Sequence, residues 1–336
     1  MPTANESHRL MDSQTESTTD RPIVVTLTMN PALDITTRAP QVRPTDKIRC
    51  HGARYDAGGG GINVARFAHV LGSSVSAVFP AGGPTGDVVT DLLAQAGVPY
   101  HRIPIADSTR ESFTVNDDSN GQQYRFVLPG PNLTVAEQAR CLDELRKAAR
   151  SAEFLVASGS LPPGVPADFY QRIADICREL GVLLVLDTSG GGLQHITSGV
   201  FVLKPSVREL RECFARELES EAEQLAAAHE LIDSGVSQAV VVSLGSRGAL
   251  LATPHASQRF TAVPVHLVSG VGAGDAMVAA IVVGMTRGWP LSKSVRYGIA
   301  TGAAKLMTPG TAACTRDDVE RLFEMTAEPA DIASAY

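Results

Sequence analysis

From residue 23 onward, short apolar runs alternate with longer stretches in which apolar positions recur every three or four residues. Ile23-Val24-Val25-Thr26-Leu27 opens the series, and Val75–Ala81, Glu153–Ser158, Val182–Asp187, Val200–Leu203 and Ala239–Ser243 continue it. These runs are too short for core helices and suit strands buried on both faces. Helical spacing marks Gly86–Ala96 and Asp168–Leu180. Val64, Ala65, Phe67, Ala68 and Leu71 form an apolar helix face that stops at Gly72, and a final helical stretch begins at Gly272. Thr134 with Glu137, and Ser220 with Glu223, have the spacing of capping boxes at helix starts. Strands alternating with helices in this way predict an α/β domain whose mainly parallel sheet is covered by helices on both sides.

Two segments break the rhythm. Residues 36–57 and 107–128 carry strand patterns with no helix between, and the second contains Asn120-Gly121, the favoured pair of a two-residue hairpin turn. Paired into one small sheet, they would form a lid over the open edge of the main domain. Lys47, Arg49, Arg110 and Arg125 lie in these segments and would then approach the active site. A small sheet with one apolar face is marginal alone, so the lid is also the expected contact of a homodimer. Residues 1–21 are polar and are expected to be a disordered tail, 22–325 form the domain, and 326–336 are expected as a C-terminal tail.

Composition narrows the function classes. The chain has 336 residues, 44% of them hydrophobic, enough for a large core. A net charge of −7 disfavours bulk nucleic-acid binding. The apolar run Ala276–Met285 is too short to span a bilayer, and the first twenty residues lack an apolar signal core, so no membrane contact and a cytoplasmic location are expected. The five cysteines are scattered without C-x-x-C pairs, which argues against disulfides and structural zinc. There is no H-E-x-x-H pair, no G-x-S-x-G elbow and no Gly-Lys dipeptide of a Walker loop.

The chemistry concentrates in two glycine clusters. In Gly272-Ala273-Gly274-Asp275 a carboxylate follows a glycine turn where an apolar helix begins. Backbone N–H groups and the helix dipole make that turn an anion site, with Asp275 beside it. Amides that hold phosphoryl oxygens next to a carboxylate that accepts a hydroxyl proton are the equipment of phosphoryl transfer to an alcohol. With an ordinary aspartate pKa near 3.9, Asp275 is expected to be ionised at neutral pH. Upstream, Gly58-Gly59-Gly60-Gly61-Ile62-Asn63 puts four glycines before a helix, as needed for positive φ or close backbone approach, with Asn63 facing the same space.

Taken in order, Thr26-Leu27-Thr28 to Pro31-Ala32-Leu33-Asp34, Gly58–Ala65, Phe79–Gly83, Gln123–Phe126, Ser158–Gly164, Val241–Gly245 and Val271–Asp275 resemble the motifs of the ribokinase-like (PfkB) carbohydrate kinases across residues 22–325. The resemblance implies a three-layer α/β/α sandwich with a small β-sheet lid. It assigns the catalytic base to Asp275 and the anion hole to the amides of Gly272, Ala273 and Gly274. Sugar hydroxyls would meet Asp34, Gly59, Asn63 and Ser160, and the sugar phosphate would meet Lys47, Arg110 and Arg125, with a reach across the dimer open. ATP would meet Lys204, Ser206, Ser243, Gly245 and Gly248, and Glu209 would help place Mg2+ through water; K+ is a further candidate cofactor. One departure stands out: the family's Asn-x-x-Glu is here Ser206-Val207-Arg208-Glu209, which shortens the side chain and removes an amide.

The implied reaction is ATP-dependent phosphorylation of fructose 6-phosphate at its 1-hydroxyl. Asn30-Pro31-Ala32 resembles the 1-phosphofructokinase branch instead, so fructose 1-phosphate stays open as a substrate, as does tagatose 6-phosphate, which differs at one stereocentre. A nonenzymatic sensor of sugar phosphate or nucleotide is the alternative of another class, with Ser206 as its support.

Overall fold

The computed structural model describes residues 23–333, so the expected tail at 1–21 lies outside the described residues. β1 (Val24–Leu27) is an interior strand of the larger of two sheets, third from one edge. The chain leaves it for β2 (Ala32–Ala39) and β3 (His51–Gly58) of a smaller sheet, then returns through helix Gly60–Val70 to β4 (Val75–Ala81) and, after helix Gly83–Gln95, β5 (Tyr100–Pro104). A second excursion makes β6 (Arg110–Asp117) and β7 (Gln123–Val127). β8 (Phe154–Ser158), β9 (Leu183–Asp187), β10 (Val200–Leu203) and β11 (Ser237–Ser243) extend the larger sheet, and β12 (Gly248–Thr253), β13 (Ala256–Thr261) and β14 (Ala330–Ile332) finish it.

The order β14-β13-β12-β11-β10-β9-β8-β1-β4-β5 is parallel from β5 to β11 and antiparallel beyond. The expected mainly parallel sheet is present. The expected C-terminal tail differs: Ala330–Ile332 pairs with Ser257–Arg259 as the edge strand. Backbone groups of β13 that would face water are thereby satisfied.

Side chains alternate between two cores. Ala239 and Val241 of β11 join one, with Phe67 and the helix Ala273–Thr286; Val240 and Val242 join the other, with Tyr170 and Ile173 of helix Phe169–Leu180. A strand that buries both faces must read as a continuous apolar run, which is why these strands were legible. Both capping boxes form, at Thr134 and at Ser220.

The small sheet has the order β3-β2-β6-β7, with β2 parallel to β6, so its centre joins two segments distant in sequence. The turn between β6 and β7 is five residues rather than the expected two. The Asp117 carboxylate accepts from Val42 N, Ser119 N and Oγ, and Asn120 Nδ2, and so shapes a wider loop; Gly121 still supplies its positive φ of 71°. Lys47 and Arg49, expected on strands, lie instead in the exposed loop between β2 and β3.

Candidate active site

In the parallel sheet the chain order reverses between β1 and β8, and a crevice opens at the carboxyl ends of the strands at such a switch point. A cleft of about 310 Å³ lies there. Ser158, Gly159 and Ser160 reach it from the end of β8, and Asp187, Thr188 and Ser189 from the end of β9. The small sheet forms the opposite wall. Ala32 and Asp34 of β2, Arg110 and Ser112 of β6, and Arg125 and Val127 of β7 all line the cleft. Each pair is spaced by two residues, the period that puts side chains on one face of a strand.

Four successive glycines join the walls, and each meets a different neighbour. A methyl group on Gly58 would fall 2.2 Å from Asp34 Oδ2; on Gly59, 2.5 Å from Thr28 Cγ2; on Gly60, 2.2 Å from Ser158 Oγ; on Gly61, 2.3 Å from Leu27 O. Gly59 also has φ of 112°. The strand β3 therefore runs straight into helix Gly60–Val70 through a passage with no room for side chains. Ile62 N donates to Thr28 Oγ1 at 2.7 Å, which pins the helix start to the end of β1.

One turn into that helix, Asn63 Nδ2 donates to Asp275 Oδ2 at 2.9 Å, and Ser158 Oγ stands 3.5 Å from Oδ1. Asp275 lies in the first turn of helix Ala273–Thr286, whose N-terminal Gly272 takes the left-handed conformation at φ 82°. First-turn amides have no partner inside the helix, so those of Ala273 and Gly274 are free to meet an anion beside the carboxylate. Burial raises the Asp275 pKa to about 7, and the nearby Asp187 carboxylate adds to the shift, while Asn63 and Lys204 oppose it. The expectation of a fully ionised Asp275 is thus corrected: without ligand, the group sits near its midpoint at neutral pH. Asp34 is likewise raised to about 6 by burial, against the pull of Arg110 and Arg125.

Lys204, at the end of β10, is buried and paired with Asp187 at 3.1 Å. Burial works against its charge, but the carboxylates of Asp187, Glu209 and Asp275 hold the ammonium above its ordinary range. A methyl group on Gly274 would lie 3.6 Å from Lys204 Nζ, so this cation borders the anion turn.

The structure gathers Asp34, Gly59, Asn63, Arg110, Arg125, Ser160, Glu209, Gly272 and Asp275 around one cleft. It does not bring in Lys47, which is exposed on its loop. Ser206, Ser243, Gly245 and Gly248 fall outside the cleft lining, at the adjoining ends of β10, β11 and β12, where Ser206 bridges Ser243 and Leu244 N donates to Gly248 O at 2.8 Å. Ser206 is also the N-cap of helix Val207–Phe214: its Oγ accepts from Glu209 N, and Glu209 Oε2 accepts from Ser206 N at 2.7 Å. Serine in place of asparagine therefore keeps a capping box that orients Glu209. Sequence reasoning missed Asp187, whose only signal was an acid at the end of an apolar run, and Arg66, which bonds Ala57 O and Thr311 O and reaches Asp56.

The chain matches the model described as pfkB family carbohydrate kinase over residues 23–318. It is 70% identical over 312 residues to ATP-dependent 6-phosphofructokinase isozyme 2 of Mycobacterium tuberculosis, covering 93% of this chain and 92% of that one. It is 38% identical over 302 residues to the Escherichia coli protein of the same name, covering 89% and 97%. The crystal structure of E. coli phosphofructokinase-2 in complex with fructose-6-phosphate superposes with a TM-score of 0.84 at 36% identity, covering 90% of this chain and 98% of that one. The same enzyme in complex with potassium gives 0.86 at 37%, with equal coverage.

Proposed function

This chain belongs to the pfkB family of carbohydrate kinases, and from that premise we propose that it transfers the γ-phosphoryl group of ATP to the 1-hydroxyl of fructose 6-phosphate, giving fructose 1,6-bisphosphate and ADP. One observation carries the reading: Asp275, at the head of a helix behind a glycine turn, shares a cleft with Asp34, Arg110 and Arg125 of the opposite sheet. A sugar phosphate lying between the walls offers hydroxyls to Asp34 and Asn63 and its phosphate to the two arginines, whose planar forks suit phosphate. Its 1-hydroxyl then faces Asp275, which accepts the proton as the new O–P bond forms and the bond to ADP breaks. The amides at Gly272–Gly274 and the Lys204 ammonium meet the charge on the transferring phosphoryl oxygens.

The nucleotide extends toward Ser206, Ser243, Gly245 and Gly248. Among the described residues no group of three His, Cys, Asp or Glu side chains could hold a metal. Glu209 and Asp187 line the cleft on the side of β9 and β10. Magnesium in such enzymes is held by one or two carboxylates plus substrate phosphates and waters, so this donor set fits an ion carried in with ATP. Such an ion neutralises phosphate charge when bound. Potassium is assigned by assay with and without its chloride salt.

Lys47 serves a second copy of the chain in this reading. The lid face turned away from the cleft carries Ile35 paired with Tyr55 and Phe113, and Phe113 paired with Phe126, and it leaves Tyr55 and Phe126 exposed. Covering that face with a second lid supplies its missing burial and supports a homodimer. Among the described residues no helix is long and apolar enough to cross a membrane. We place the reaction in the cytoplasm, where ATP and sugar phosphates are found.

The test is Asp275→Asn assayed by coupled ADP release with fructose 6-phosphate, fructose 1-phosphate and tagatose 6-phosphate at matched concentrations. A general base contributes about 10²–10⁴ in rate, so the variant is expected to lose at least ~100-fold in kcat while its melting temperature does not fall. Fructose 6-phosphate is expected to have the highest kcat/KM with the wild type. Near-normal turnover by the variant removes the mechanism, and sugar-independent nucleotide binding without ADP release restores the sensor reading.

A further inference from the structure

Lys305 stands in the last turn of helix Leu291–Leu306 and is fully buried, with 0% of its surface exposed. A lysine near a helix C-terminus ordinarily reaches the last carbonyls while keeping its ammonium in water. This one is sealed inside, and its ammonium, with three protons to donate, makes one hydrogen bond, to Thr308 O at 3.3 Å. A methionine or leucine would fill such a space without desolvating a charge, so packing alone does not account for lysine here.

Its location supplies the missing reason. A methyl group placed on Gly272 would lie 3.6 Å from Lys305 Cε, ordinary van der Waals contact, so the side chain runs along the back of the turn that begins the Asp275 helix. The loop before that turn is fastened to the end of the same lysine helix: Val268 N and Ser269 N donate to Leu306 O, Ser269 Oγ donates to Gly310 O, and Val271 N donates to Ser269 Oγ. Lys204 borders the turn from the β10 side. The turn thus lies between two buried cations, and only Lys204 is paired with a carboxylate.

We propose that Lys305 is a positioning residue for phosphoryl transfer: its ammonium, held behind Gly272, adds a fixed positive charge to the anion turn and keeps the amides of Gly272–Gly274 aimed at the transferring group. The ammonium never touches substrate and acts through the turn. Burial lowers the Lys305 pKa to about 8, with Cys314 and Asp56 pulling the other way, so the group still carries its proton at pH 7. A charge fixed before the reaction costs no reorganisation as negative charge gathers on the phosphoryl oxygens. This inference rests on the phosphoryl-transfer reading given above.

The experiment uses the full-length chain and compares wild type, Lys305→Met and Lys305→Ala with Asp275→Asn as reference. Lys305→Met keeps the unbranched side chain to within one heavy atom of its length and removes the charge. Its kcat for fructose 6-phosphate phosphorylation is expected to fall about tenfold, roughly the worth of one moderately screened charge interaction. KM for the sugar phosphate should stay within about twofold, because the lysine lies behind the turn and not in the sugar pocket. In Lys305→Ala, n-propylammonium, which matches the deleted atoms, should restore part of kcat, and the neutral n-propanol should not. A Lys305→Met enzyme with wild-type kcat overturns the proposal, as does equal rescue by propanol or loss of folding in both variants, which would assign Lys305 to packing. Failure of the wild type to phosphorylate the sugar would instead sink the functional reading beneath it, and a dead Asp275→Asn beside a normal Lys305→Met would sink this inference alone.

Discussion

Asn63 donates its side-chain amide to the Asp275 carboxylate at 2.9 Å, across 212 positions of sequence. The bond joins the helix that follows the glycine run to the helix that follows the glycine turn. It also tempers the acidity of the base, because it favours the ionised carboxylate against the burial and the Asp187 charge that disfavour it.

A pH profile should show this directly. Asp275 must lose its proton to act, and its pKa is raised to about 7, so kcat/KM in the free enzyme should rise with pH through about 7 and fall below it. Asn63→Leu removes the bond that holds the pKa down, and the acid limb should then move to higher pH with kcat at pH 7 reduced. An acid limb that stays in place in the variant would show that the bond does not tune the base.

Subunit mixing separates the two walls of the site. If Lys47 reaches a second copy's cleft, Lys47→Ala should raise KM for fructose 6-phosphate by about tenfold or more, the loss expected for a charge-assisted contact to phosphate. Dissociating and reassociating this variant with Asp275→Asn should regenerate sites that hold both Lys47 and Asp275, and activity at low sugar phosphate should return. Activity equal to the sum of the separate variants would confine Lys47 to its own chain.

Close backbone approach should make the glycine run intolerant of a single methyl. Gly61→Ala would drive Cβ to 2.3 Å from Leu27 O, a backbone atom that cannot swing aside, whereas Gly270 has nothing within 4 Å. Overpacking of this kind costs about 1–3 kcal/mol. Urea unfolding should register that loss for Gly61→Ala and almost none for Gly270→Ala; equal midpoints would contradict the packing described.

Much of the fold was legible because the strands bury both faces and so announce themselves as apolar runs. Thr134 and Ser220 marked helix starts through local chemistry that needs no tertiary context. The lid was legible as a break in rhythm, although Asp117 widened its turn and the long loop carrying Lys47 read as strand. Asp275 and the glycines were visible because their spacing is unusual. Asp187 and Arg66 were not, since a lone acid after a strand or a lone arginine on a helix has many ordinary uses; the pairing of β9 with β8 brings Asp187 to the cleft, and Arg66 stands one turn behind Asn63 on the same helix. Ser206 carries a second signal beside its resemblance to a nucleotide-site position: the Ser-x-x-Glu spacing that makes it a helix cap stands in the sequence. Lys305 gave no signal, because the sequence does not tell which helix ends are sealed.

The absence of any slack between β3 and helix Gly60–Val70 gears the two halves of the enzyme together. A shift of the lid strand that carries Gly58 has to be passed to Asn63, and so to the orientation and acidity of the aspartate it holds. Grip on the sugar and readiness of the base are therefore inherited as one unit: grafting the lid of another sugar kinase onto this body would have to bring its own stretch from Gly58 to Asn63, or the transplanted specificity would arrive with a mistimed catalyst.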